Sequence, residues 1–348
     1  MKALLNCEID YFPSIHLNHI YDGFEKLRKL GIIEISIKKS NGNRDKPLLN
    51  VVINNRYKVI YDALDGFNWI DDSVEKNLEY FKNNIQADFY FKRSFNNKIL
   101  EYKPTNCSVY PLGLNYKIDS EDRFSLNLRN TLKRLLQNNK IFSKYFNTKL
   151  MYNKNFEFYP IFNRQNKVLF ITRLWDPEDT TLERLKEERE ILNEQRINYI
   201  KICQKEFGKN FLGGLQGDDF TTRRAKELIM PFSLTNRETY INTMKQYNIC
   251  IATTGLHKSI GWKFAEYVAA ARAIITEPLE YEVPGEFAEE KNYSVFNNEE
   301  ELLNKIELFL REKRKVLEMM NNNFYYYNNF LKPEVLVLNT LLKVYEHI

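Results

Sequence analysis

The 348-residue chain is poor in the residues that most often carry metal, redox or disulfide chemistry, with four histidines and four cysteines. Cys7, Cys107, Cys203 and Cys250 lie far apart and form no CxxC pair. This spacing predicts reduced, mostly buried thiols in a cytoplasmic protein. The sequence contains no HExxH motif or other metal-ligand spacing, so we expect no structural metal and no bound cofactor.

Long apolar runs are also missing. No apolar stretch approaches the 18 residues that suggest a membrane-spanning helix, and Glu8 and Asp10 interrupt the apolar start, so we expect no signal peptide. The formal net charge of +5 is small, and its charges are dispersed along the chain. That charge argues against nucleic acid as a partner, although it permits an anionic ligand or peripheral contact with a membrane.

Hydrophobic residues make up 43% of the chain and aromatic residues 14%, enough for two domain cores. Strand and helix patterns alternate in both halves, which predicts an α/β fold. Residues 1–150 are predicted as the first domain, 151–330 as the second, and 331–348 as a last helix that packs back on the first domain. Residues 119–144 have helical periodicity, and 145–165 are an irregular candidate linker.

The stretch NICIATTGLHKSIGWKFAEYVAAARAIITEP, residues 248–278, organises the second half. Residues 248–254 are predicted as a buried strand, 255–261 as a loop with glycine at both ends, 262–272 as a helix and 273–276 as a second strand. A strand–loop–helix–strand unit of this kind is the building block of a doubly wound parallel sheet.

The loop of this unit suits an anionic ligand. It follows the carboxyl end of a strand, where open α/β sheets bind ligands, and it leads to a helix N-terminus whose free N–H groups favour a diphosphate. Lys263 adds positive charge in the first helical turn, and Glu266, three residues on, is suited to accept hydrogen bonds from ribose hydroxyls. The alternative is that Lys263 and Glu266 form only a surface ion pair.

Other charged segments are predicted to be plain surface. The helix over residues 180–207 alternates positive and negative side chains, which is typical of a solvated face. Lys92 and Arg93 follow a strand and could bind a phosphate or an acidic acceptor, but we interpret them as the solvated end of that strand. Arg223 and Arg224 are second candidates for a cation that meets an anionic ligand, but we interpret them as an exposed pair.

Residues 235–310, and above all KFAEYVAAARAII, resemble group 1 glycosyltransferases of the GT-B fold. The sequence is most similar to the spore-protein-like branch, whose central element reads R-x-x-E-x-x-A-x-G. Lys263 and Glu266 take the matching places, whereas Ala271 stands where the family has glycine. Lys258 replaces the first carboxylate of the family's E-x7-E pair, so the pair associated with retaining chemistry is incomplete.

The resemblance implies two Rossmann-like domains that face each other across a cleft. It also implies metal-independent, hexosyltransferase-like transfer from a nucleotide-diphosphate sugar, with a role in polysaccharide biosynthesis. Glu266 would bind the ribose, and Arg173 would neutralise the departing phosphate, unless Arg173 only caps a helix or bridges domains. The other donor-site residues are Gly255, Ser259 and Gly261, which would line the diphosphate, together with His257 and Lys263.

The acceptor would be a saccharide or cell-surface glycan. Its hydroxyl needs a base, and Asp10, His16 and His19 follow the first strand, where such a group is expected. The two histidines could equally cap or pack against the first helix, and Asp62 and Asp65 are alternative bases.

Three other functions are compatible with the sequence. A GT-B-like epimerase would need more acidic and histidine residues in its cleft, and a phosphorylase would need a lysine that holds pyridoxal phosphate. The third alternative is a non-catalytic protein that binds a nucleotide sugar or a partner protein, because a fold alone does not prove turnover.

Overall fold

The structure is a computed structural model, and it describes residues 4–43, 45–119 and 150–348. The chain divides into two compact units. The first contains Met1–Asn155, Glu282–Pro284 and Asn329–Ile348, and the second contains Phe156–Tyr281 and Gly285–Asn328. The helix predicted over 119–144 lies outside the described residues, apart from Asp119.

The strands are β1 (Leu5–Tyr11), β2 (Ile33–Lys39), β3 (Leu48–Ile53), β4 (Tyr57–Asp62), β5 (Phe89–Lys92), β6 (Ser108–Pro111), β7 (Val168–Thr172), β8 (Phe211–Leu215), β9 (Ile249–Ala252), β10 (Ala273–Thr276) and β11 (Ser294–Val295). The α-helices are α1 (Asn18–Lys29), α2 (Val74–Asn84), α3 (Asn153–Phe156), α4 (Glu183–Phe207), α5 (Asp219–Arg224), α6 (Phe232–Thr235), α7 (Arg237–Gln246), α8 (Trp262–Ala269), α9 (Glu299–Arg311), α10 (Lys313–Tyr326) and α11 (Pro333–Tyr345). Both units are therefore α/β, which confirms the predicted fold class.

The first unit has a six-stranded sheet in the order β2-β1-β3-β4-β5-β6. Strand β3 runs antiparallel to both of its neighbours, β1 and β4, while the other pairs are parallel. The strands β3 and β4 form an antiparallel hairpin. Short apolar strands with buried side chains on alternate positions, as in β1, explain how one face of this sheet enters the core.

Helices α1 and α11 pack together in the core of the first unit. Gly23 makes this contact possible, because a Cβ atom there would lie 2.2 Å from the carbonyl oxygen of Pro333. Val337 and Leu341 of α11 are buried in the same cluster as Phe24 of α1. The first unit is thus completed by a helix that comes from the end of the chain.

Lys92 and Arg93 are buried in the first unit, so their interpretation as a solvated strand end is wrong. Lys92 is 0% exposed and donates to Asp62 Oδ1 at 3.2 Å, and Arg93 pairs with Asp65. Asp62 also accepts from Leu64 N, Trp69 Nε1 and the Tyr90 hydroxyl. A buried carboxylate with this many donors is satisfied from within the fold.

The second unit has a five-stranded sheet in the order β11-β10-β9-β7-β8. Its described strand pairs are all parallel. The strands β7, β9 and β10 are buried along their whole length, as expected for a parallel sheet covered on both faces. This unit therefore has the doubly wound arrangement that places ligands at the carboxyl ends of the strands.

Candidate functional site

The loop between β9 and α8 is tightly folded. Gly255 N donates to the carbonyl oxygen of Ser259 at 2.8 Å, and a Cβ atom on Gly255 would lie 2.8 Å from Ser259 Oγ. His257 and Lys258 both have left-handed backbones, with φ of 57° and 54°. Non-glycine residues in this region carry strain, and such strain is concentrated at functional sites. The strand–loop–helix–strand prediction is confirmed, although helix α8 ends at Ala269 rather than at residue 272.

The N-terminus of α8 faces no capping side chain within the part of the chain that the structure describes. Gly261 is the N-cap residue, and Ser259 is buried two positions before it. Free N–H groups in the first turn of an α-helix attract anions. Residues Gly255, Ser259 and Gly261 thus lie together at this helix start, while the Lys258 side chain is 74% exposed and 3.9 Å from Glu280.

Lys263 lies in the first turn of α8, with its ammonium 3.7 Å from the centre of the Tyr240 ring. Burial, opposed by the negative charge of Glu266 and assisted by the positive charges of Arg237, Arg173 and Arg196, lowers the pKa of Lys263 to about 8. The charges of several cations therefore overlap at this lysine. Such a surplus of positive charge is stabilised by a bound anion.

Glu266 is 1% exposed. It forms its ion pair with Arg237, so the alternative of a surface ion pair between Lys263 and Glu266 is wrong. Arg237 Nη2 lies 2.6 Å from Glu266 Oε1. Among the described residues, Glu266 Oε2 is buried and has no hydrogen-bond partner. A buried carboxylate oxygen without a donor is costly, which marks Oε2 as a place for a ligand hydroxyl.

Arg173 follows strand β7 at the same end of the sheet. It is exposed, and its guanidinium lies over the Trp175 ring at 3.9 Å from the centroid. Within the described ranges Arg173 forms no ion pair. In contrast, Arg223 pairs with Asp176, and Arg224 pairs with Glu194. Arg173 is thus a cation held by stacking, with its charge available to an anion.

Arg196 of α4 was missed from the sequence, because the alternating charges of this helix suggested a solvated face. That interpretation is wrong for Arg196, which is 5% exposed. Its guanidinium donates to the carbonyl oxygens of Arg173 and Thr254 at 2.8 and 2.9 Å, and to Thr253 Oγ1 at 3.1 Å. Burial lowers the pKa of Arg196 to about 10, partly offset by Glu277. Arg196 therefore ties the ends of β7 and β9 together.

Glu277 holds the same strand end from the other side. Its Oε2 accepts from the backbone N–H of Thr254 at 2.7 Å and from the Thr254 hydroxyl at 2.9 Å. Glu277 directly follows β10, so three neighbouring strands contribute to one polar edge. The only sequence signal for this group was its position, since each member directly follows a strand or lies on the helix beside it.

A groove beside α4 and the start of α9 has a volume of about 810 Å³. It is lined by carboxylates, including Glu190, Glu194 and Glu299. A diphosphate would be repelled by this lining.

The predicted acceptor-side residues lie in the first unit. Asp10 is half-buried near the end of β1, and His16 is half-buried in the following loop, where burial lowers its pKa. His19 is 0% exposed, burial lowers its pKa to about 3, and its ring packs 4.9 Å from that of Tyr116. His19 is thus an interior residue of α1, and Asp62 is enclosed by its own donors.

In the described parts of the chain, no three His, Cys, Asp or Glu side chains are grouped so that they could hold a metal ion. No helix among those residues is long and apolar enough to cross a membrane. All four cysteines are buried free thiols.

No protein-family model matches the sequence, and no curated protein matches it. Solved structures do match. The C-terminal domain of the group 1 glycosyl transferase LpcC from Francisella tularensis is 14% identical, with 51% of this chain and 97% of that domain covered and a TM-score of 0.35. Anabaena HepE, solved with UDP and glucose, is 13% identical to this chain. The match covers 95% of this chain and 94% of HepE, with a TM-score of 0.45.

A third match is the pneumococcal O-GlcNAc transferase GtfA, solved with UDP and GlcNAc, at 12% identity and a TM-score of 0.38. This chain spans 54% of the length of GtfA. LpcC is described as a group 1 glycosyl transferase and GtfA as an O-GlcNAc transferase. These identities and TM-scores leave substrate and activity to be argued from the residues of this chain.

Proposed function

We propose that the second unit binds a nucleotide-diphosphate sugar and that the protein is a glycosyltransferase. The observation that carries this proposal is the polar edge of the parallel sheet. There, Arg173 and Lys263 lie at the end of β7 and the start of α8, and the buried Glu266 keeps one oxygen without a partner among the described residues. Cations beside an acceptor-only carboxylate suit a ligand that has both phosphate and hydroxyl groups.

The same residues can serve the leaving group. In a glycosyl transfer, the acceptor oxygen bonds to the anomeric carbon while the bond from that carbon to the phosphate oxygen breaks, and the nucleoside diphosphate leaves with the electron pair. Negative charge therefore grows on the phosphate. Arg173, Lys263 and the uncapped start of α8 are fixed positive groups that would stabilise this charge without a metal ion.

The proton of the acceptor hydroxyl must pass to a base. Asp10 and His16 remain the proposed bases, and the half-burial of both leaves them reachable. The proposed acceptor is a saccharide or cell-surface glycan. The buried free cysteines agree with a reducing, cytoplasmic location.

The first test is a thermal-shift screen of the purified protein with UDP, GDP, CDP, ADP and dTDP. A ligand that binds only the folded state raises stability by about 2.7 kcal/mol at a hundredfold excess over Kd. We expect one nucleotide to raise the Tm of the wild type and to have a much smaller effect on Glu266→Gln. The matched control, Glu318→Gln, changes an exposed carboxylate that pairs with Arg314 and should respond like the wild type.

If no nucleotide raises the Tm, the donor-site proposal is wrong. If one does, release of the nucleoside diphosphate from its sugar conjugate in the presence of a saccharide acceptor separates transfer from binding alone. Binding without release would favour the non-catalytic alternative, for which the observation is Lys258 in place of the family's first carboxylate.

A further inference from the structure

The two carboxylate oxygens of Glu266 have different surroundings. Arg237 Nη2 lies 2.6 Å from Oε1, a short charge-assisted contact, whereas Oε2 is buried without a partner among the described residues. Glu266 is on α8 and Arg237 is the first residue of α7, so the contact joins two helices. Arg237 therefore fixes Oε1, while Oε2 can accept a hydrogen bond from a ligand.

The guanidinium of Arg237 is itself held in place. Asn236 caps α7 by accepting from the Thr239 N–H at 3.0 Å, which fixes the start of the helix that carries Arg237. The guanidinium carbon of Arg237 lies 4.9 Å from the centre of the Phe156 ring. A cation that stacks on an aromatic ring and begins a capped helix has few alternative positions.

We propose that Arg237 is a positioning residue that orients Glu266, so that Oε2 accepts a hydrogen bond from a ribose hydroxyl of a nucleoside diphosphate. This inference rests on the proposed function and deepens it. An ionised carboxylate only accepts hydrogen bonds, so its partner must be a donor. A phosphate oxygen is excluded at Oε2 because it is an acceptor of the same charge. The donors that a nucleoside diphosphate offers are its 2′- and 3′-hydroxyl groups and the N–H groups of its base, and the comparison of ribonucleotides with dideoxynucleotides separates these two sources.

The experiment compares UDP, ADP and GDP with their 2′,3′-dideoxy counterparts by calorimetry. The proteins are the wild type, Arg237→Met, Arg237→Lys and the control Arg314→Met, which removes an exposed guanidinium that is 91% accessible. For the best-binding base, we expect the wild type and Arg314→Met to prefer the ribonucleotide at least tenfold. Arg237→Met should lose about tenfold in ribonucleotide affinity and less than twofold in dideoxynucleotide affinity. The ribonucleotide affinity of Arg237→Lys should lie between those of the wild type and Arg237→Met.

Each outcome has a separate meaning. A purely structural role for Arg237 would weaken both ligands alike in Arg237→Met and would overturn the inference, as would an unchanged ribose preference in that variant. A wild type that binds the ribo and dideoxy forms equally would also overturn it, with the proposed function intact. A wild type that binds no nucleoside diphosphate would overturn both. Retained dideoxynucleotide binding shows that Arg237→Met is folded.

Discussion

The two units treat buried charge at their strand ends in opposite ways. In the first unit, Asp62 is the last residue of β4 and receives hydrogen bonds from Lys92, Trp69 and neighbouring groups of the same unit. In the second unit, Glu266 has one oxygen held and one without a partner in the described part of the chain. The first network is closed, and the second is open.

This difference separates stability from binding. A closed network of buried charges is destabilised when one member is removed, because its partner is left buried and unpaired. In an open network one buried polar atom lacks a hydrogen-bond partner, and a bound ligand can supply that partner. The comparison predicts that substitutions in the first network change folding, whereas changes at the second act mainly on ligand affinity.

The largest effect is expected for Lys92→Met. Because Lys92 is 0% exposed beside Asp62, its loss should lower the free energy of unfolding by about 3–5 kcal/mol, as measured by urea denaturation. Nucleotide affinity should not change in the protein that remains folded. The control is Lys98→Met, whose exposed pair with Glu75 should contribute less than about 1 kcal/mol. Equal effects of the two changes would show that burial of the Lys92–Asp62 pair does not increase its contribution to stability.

A middle-sized effect is expected for Arg196→Met. The guanidinium ties the ends of β7 and β9 by three hydrogen bonds, so its loss should lower the free energy of unfolding by about 1.5–3 kcal/mol. It should also weaken nucleotide binding, since Arg173 and Thr254 lose their fixed positions. Arg184→Met, on the exposed side of the same helix, is the control and should change stability by less than about 0.5 kcal/mol. A variant that binds nucleotide as the wild type does would show that Arg196 is structural only.

The smallest effect concerns the pH dependence of Lys263. Its pKa of about 8 means that the ammonium is lost as the pH rises past 8, so nucleotide affinity should fall about tenfold between pH 7 and pH 9. Lys263→Arg should remove most of this fall, because arginine stays charged. Calorimetry of both proteins at each pH cancels any titration of the nucleotide. Parallel losses in the two proteins would contradict the assignment.

Stability should have the opposite dependence on pH at this residue. Burial lowers the pKa of Lys263 in the folded state from its ordinary 10.5, so the unfolded chain binds more protons between pH 8 and 10.5. The contribution of Lys263 to the free energy of unfolding therefore rises with pH in this window.

Local pattern predicted much of the fold but little of the charge pairing. The apolar run of β9, the glycines of the loop and the alanine-rich α8 are each determined by nearby residues, so the sequence was enough to find them. Arg237 and Glu266 are 29 positions apart, and their pairing depends on how two helices pack. Nothing in the charge alternation of α4 distinguishes the buried Arg189 and Arg196 from the exposed Arg184.

Ala271 is a second residue whose local conformation the sequence alone did not predict. Its backbone is left-handed, with φ of 54°, at the position where the resembling family has glycine. The sequence located this residue correctly and marked it as a departure. The structure shows that the departure concerns the side chain, while the backbone conformation that favours glycine is kept.

The return of the chain to the first unit through α11 has a consequence for synthesis on the ribosome. Val337 and Leu341 complete a core whose other members, such as Ile9 and Phe24, are made more than 300 residues earlier. The second unit, within residues 156–328, can be fully synthesised before this helix exists. The apolar surface of the first unit that α11 covers is therefore exposed for most of translation. We expect chaperones to bind this surface during that period.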